Sequence, residues 1–61
     1  MVTANNVYER VSREVNEGKS VREGCRKVAE RLHVDNEVVE VVVAGKNDEW
    51  FRLLGFHLGS R

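Results

Sequence analysis

Five valines fall in six consecutive positions, Val38, Val39, Val41, Val42 and Val43, interrupted only by Glu40. Side chains branched at Cβ lose rotamer freedom in a helix and pack well on a pleated sheet, so on propensity the run favours a strand. The same residues also form a helical stripe, because Val38/Val39 recur as Val42/Val43 four positions on. Asp35 stands ahead of them as a capping residue, and Glu37 lies where the positive end of a helix dipole favours negative charge. Periodicity alone does not assign a segment this short. The expected architecture is a compact all-α domain of three or four helices; the alternative is a small α/β domain in which Val38–Ala44 is a strand.

The other segments read as helices from their boundaries and faces. Asn6 precedes Glu9 by three positions and Ser20 precedes Glu23 by three, the capping-box spacing that satisfies the free amides of a first turn. Asn47, followed by Asp48 and Glu49, marks a start for the last segment. Gly18, Gly45 and Gly55 stand where segments should stop, since a residue without Cβ closes a helix cheaply in the left-handed conformation; His33 occupies the equivalent stop after the second segment. Val7, Tyr8, Val11 and Val15 share one face of the first segment, and Val21, Cys25, Val28, Ala29 and Leu32 one face of the second. The fourth, with Trp50, Phe51, Leu53, Leu54, Phe56 and Leu58, reads as a short helix running into an extended tail. The expected core is Val11, Val15, Cys25, Val28, Leu32, Val39, Val42, Trp50 and Leu54.

With 61 residues there is room for one domain, residues 1–61, and one small core. A water-excluding substrate cleft needs more chain than this, and no nucleophile, base and oxyanion donors converge, so an enzyme or a small-molecule substrate is not expected. Ten Lys+Arg balance ten Asp+Glu, so any basic patch is local. The single cysteine, Cys25, allows no internal disulfide, and it reads as a small buried hydrophobe. His33 and His57 are far apart without partner ligands, so no metal or other cofactor is expected. No apolar run approaches about 18 residues and no basic-then-apolar leader opens the chain, so the expectation is a cytoplasmic protein with no membrane contact.

The pattern Gly18-Lys19-Ser20-Val21-Arg22-Glu23, then Cys25, Val28-Ala29-Glu30, Leu32, Val34, and Val39 with Val42 and Val43, resembles the helix-turn-helix of small bacterial and phage DNA-binding regulators, over residues 18–45. Ala29 would let two helices cross closely, Leu32 and Val34 would bury the turn, and Val39 and Val42 would seat the second helix on the first. The family places glycine at the turn, where this chain has His33. The resemblance implies double-stranded DNA as partner, with Asp35, Asn36, Glu37, Glu40 and Val41 facing base edges and Lys19, Ser20, Arg22, Arg26 and Lys46 near phosphates. The acidic members of that set oppose phosphate. The cations have a second reading as solvated pairs, Glu23 with Lys27 and Arg26 with Glu30. The candidate DNA-contacting set is therefore Lys19, Ser20, Arg22, Arg26, Asn36, Glu40 and Lys46.

If Val38–Ala44 is a strand, the spacing from Gly24 through Ala29, Leu32, Val34 and Asp35 to the valine run is similar to the first half of the kink-turn-binding ribosomal protein superfamily, which includes the growth-arrest and DNA-damage-inducible proteins. A lone strand needs a partner, either Phe56 to Leu58 or a second chain. That resemblance implies a dimeric protein-binding or RNA-binding module. On either architecture the rival function is a non-catalytic protein-interaction module or dimeric adaptor, with Val41, Val43, Trp50 and Phe51 as the interface to a homodimer mate or another protein.

Overall fold

The computed structural model describes residues 3–56, which form four helices: α1 (Ala4–Asn16), α2 (Val21–Leu32), α3 (Asn36–Lys46) and α4 (Asp48–Leu53). Among the described residues there is no strand. The all-α expectation holds, and Val38–Ala44 is helix, which removes the strand that the second resemblance requires. Packing decides the valine run. Val39 and Val43, four apart, are 1% and 0% exposed. Burying a side chain of this kind contributes roughly 1.5–3 kcal/mol, against a helix-propensity cost of at most about 0.7 kcal/mol per valine.

Three helices end in the same way. After α1, α2 and α4 a residue with positive φ, Gly18 (106°), His33 (59°) and Gly55 (88°), turns the chain out of the helix. Each time the next amide returns to a carbonyl five residues back: Lys19 to Glu14 at 3.2 Å, Val34 to Ala29 at 3.1 Å and Phe56 to Phe51 at 3.2 Å. The preceding amide bonds a carbonyl three back, completing the pattern that satisfies the last helical oxygens. The third expected glycine stop is corrected: Gly45 lies inside α3, which runs on to Lys46. Asn47 ends α3 and caps α4, its Oδ1 accepting from the amides of Glu49 and Trp50. Its Nδ2 donates to the Tyr8 hydroxyl at 3.0 Å, so one side chain joins α1, α3 and α4.

At the N-termini, the Ser20 hydroxyl accepts from the Glu23 amide as expected. Asn6 is not a cap; Thr3 is, its hydroxyl accepting from the Asn6 amide. Asp35 stands at the N-cap of α3 without a side-chain capping bond.

The core draws Val7 and Val11 from α1, Val21, Cys25, Val28 and Ala29 from α2, Val39, Val43 and Ala44 from α3, and Leu54 after α4. Val15, Leu32, Val42 and Trp50, expected inside, are only partly buried and pack around it. Val34 does not bury the turn and is 43% exposed. A Cβ on Gly24 would meet Glu14 Cβ at 3.3 Å and Val11 Cγ1 at 3.5 Å, so this glycine lets α2 cross close against α1.

Candidate functional site

Ser20, Arg22, Glu23, Arg26, Asn36 and Glu40 line one open groove between the N-terminal halves of α2 and α3. Five of the seven candidate DNA-contacting residues are thus brought together by two caps and a turn. Ser20 fixes where α2 begins, His33 in its left-handed conformation reverses the chain, and Asp35 begins α3. The i,i+4 spacing then sets Arg22 beside Arg26 and Asn36 beside Glu40.

The side chains in the groove differ in how free they are. Asn36 Nδ2 donates to Glu40 Oε2 at 3.0 Å, which orients the amide. Arg22 Nη2 donates to the Leu54 carbonyl oxygen at 3.3 Å, tying α2 to the end of α4. Arg26 is exposed, and among the described residues it forms neither an ion pair nor a side-chain hydrogen bond. The helix pairs expected of Glu23 with Lys27 and of Arg26 with Glu30 are not formed. Arg22 and Arg26 are balanced in the groove by Glu23 and Glu40, so it is not a cationic trough. Cys25 is buried beneath it. Burial pushes its thiol up to about 11, the carboxylate of Glu40 adding to the effect and Arg22 opposing it.

The other two candidate contacts lie elsewhere. Lys19 bonds Glu14 at 3.1 Å and approaches Glu17 at 3.6 Å. Lys19 follows the left-handed Gly18, where a hydrophobic contact back onto the helix commonly closes the turn; here an ion pair takes its place. This pairing holds the Glu14 carboxyl below its usual range and the Lys19 ammonium above its own. Lys46 is exposed in the last turn of α3, about 15 Å along the helix from Asn36.

Of the expected partner surface, Val41 is 54% exposed, and Val38 beside it 51%. Val43 is corrected outright: at 0% exposed it is core, because it shares the inward face with Val39. Trp50 is half-buried with its ring 5.2 Å from that of Tyr8, and half-buried Phe51 lies 5.5 Å from Phe56. These aromatics chiefly dock α4. The largest exposed apolar side chain near them is Leu53, 62% exposed.

Two cationic features escape a linear reading. Arg10, Arg13 and Arg31 surround a cleft with Glu14 and Val28 on the side of α2 away from α3. Its sequence signal is the pairing of Arg10/Arg13 on α1 with Lys27/Arg31 on α2, but only the helix crossing at Gly24 unites them. Arg52 edges a depression with Ala44, Gly45, Asp48 and Phe51. Among the described residues no group of three or more His, Cys, Asp or Glu could hold a metal ion. No helix there is long and apolar enough to cross a membrane. His57 and Leu58 lie outside the described residues.

Comparison of the chain with protein-family models, curated proteins and solved structures finds no match.

Proposed function

We propose that this chain is a small DNA-associated regulatory protein that uses α2, the turn at His33 and α3 as a helix-turn-helix. One observation carries the reading: Ser20, Arg22, Arg26, Asn36 and Glu40, chosen from sequence for phosphate and base contact, line a single groove across those two helices. In this arrangement α2 crosses the sugar–phosphate backbone with its N-terminal amides and Arg26, and α3 enters the major groove. Arg22 contributes positioning through its bond to Leu54, and Lys46 meets the backbone at the far end of α3. With phosphates neutralised by Arg26 and Lys46, binding weakens with salt along a log–log slope near about −2. The test is titration of a random-sequence duplex pool at several salt concentrations. Arg26→Ala is expected to leave the circular dichroism unchanged and reduce the slope by about 1. Arg22→Ala is the poorer probe, since it also releases α4. Retention of no duplex at low salt by the folded protein overturns the reading.

A second reading rests on the exposure of Val38, Val41 and Leu53 at 51%, 54% and 62%. These side chains suit burial against another chain, a homodimer mate or a different protein, and such contact varies little with ionic strength. Association that persists unchanged in high salt and fails in Val41→Asp favours this module.

A further inference from the structure

The outward face of α3 offers unusual chemistry for a helix in the major groove. From Asn36 to Gly45 its exposed residues are Asn36, Glu37, Val38, Val41 and Gly45, with half-exposed Glu40 at the groove edge, and the first cation is Lys46 in the last turn. Guanine is most often read by an Arg or Lys donating to its O6 and N7 acceptors. No such donor stands on this face, and the carboxylates of Glu37 and Glu40 repel that acceptor-rich edge; a carboxylate can accept from cytosine N4, but Glu40 already accepts from Asn36. The face instead carries the valine methyl groups and one amide. Asn36 gives one Nδ2 hydrogen to Glu40 and keeps its second hydrogen and its Oδ1, the donor and acceptor that match adenine N7 and N6. The base that pairs with adenine carries the one apolar group in the major groove, the C5 methyl of thymine.

Resting on the DNA-binding reading above, we infer that α3 selects A·T base pairs, with Val41 packed on a thymine methyl group and Asn36, nearer the N-terminus of the helix, on adenine. The flanking charges fit this placement: Arg26 on one side and Lys46 at the helix end meet phosphates, while the middle of the helix is left to apolar contact. Burial of a methyl group at about 0.8 kcal/mol corresponds to roughly a fourfold change in affinity for each thymine contacted.

The experiment selects bound duplexes from a random library, then replaces thymine by uracil at each enriched position, removing the methyl group while keeping the pairing. The expected results are enrichment of A·T pairs and about fourfold weaker binding at one uracil position. That difference should disappear in Val41→Ala, whose side chain is half exposed and outside the core. Enrichment of G·C pairs, or equal affinity for thymine and uracil duplexes, overturns the inference and leaves DNA binding standing. Failure to retain any duplex overturns the DNA-binding reading itself.

Discussion

His33 is the only residue other than glycine with positive φ among the described residues, and its Cβ is crowded against the backbone in that conformation. Replacing it by glycine removes a cost of about 1–2 kcal/mol, offset in part by the freedom glycine gains in the unfolded chain. His33→Gly is expected to stabilise the fold by about 0.5–1 kcal/mol, seen as a higher urea midpoint with unchanged slope. The position was legible because the sequence required a left-handed residue there. Cys25 gives a second residue-scale prediction. Its thiol sits at about 11, above an ordinary value of 9.0, so the unfolded chain gives up this proton at lower pH than the folded one. The protonated thiol's contribution to stability is thus full below about pH 9 and is lost as pH rises toward 11. Alkylation at pH 8 should be slow in the native protein and fast in urea; equal rates in both would show the thiol to be accessible.

The helices end for reasons that a linear reading recovers unevenly. Ser20, Asn47 and His33 announce themselves because capping and left-handed turns are local chemistry. Thr3 does not, since Asn6 offered an equally good cap three residues later, and only the packing of Val7 and Val11 on α2 fixes where α1 begins. Gly45 reads as a stop because glycine commonly ends helices, whereas Asn47, anchored by Tyr8, ends α3. The candidate groove was largely legible through i,i+4 spacing, whereas the burial of Val43 depended on which side of α3 met the other helices. The two helical glycines now separate by experiment. At Gly45 an added Cβ meets nothing within 4 Å, so Gly45→Ala should stabilise α3 by about 1 kcal/mol through propensity alone. At Gly24 the same methyl group lies 3.3 Å from Glu14 Cβ, and the crowding of α1 should cancel that gain or reverse it. Urea unfolding of both variants checks the contrast.

Across the whole molecule the balanced composition conceals a division of charge. Arg22, Arg26, Lys27 and Arg31 outnumber Glu23 and Glu30 on α2, while Asp35, Glu37, Glu40, Asp48 and Glu49 outnumber Lys46 and Arg52 from the turn through α4. Counting charges over the chain averages this away, and only the helix order restores it. Such a molecule has an electric dipole without net charge, so salt should alter its orientation toward a charged partner more than its stability. The packing of α4 has its own bearing on how the molecule is observed. The chain's only tryptophan, Trp50, belongs to a helix of six residues and touches Tyr8 of α1. Its fluorescence therefore witnesses the docking of the last helix, whereas the far-ultraviolet circular dichroism is dominated by the three longer ones. On warming, the emission should shift to longer wavelength at a lower temperature than the ellipticity falls, and Asn47→Ala should widen the interval. Coincident transitions in both proteins would mean that α4 and the other helices melt as one cooperative unit. A denaturation curve followed by fluorescence alone would then mean something different: with separate transitions it times the release of α4, and with coincident ones it times the loss of the domain.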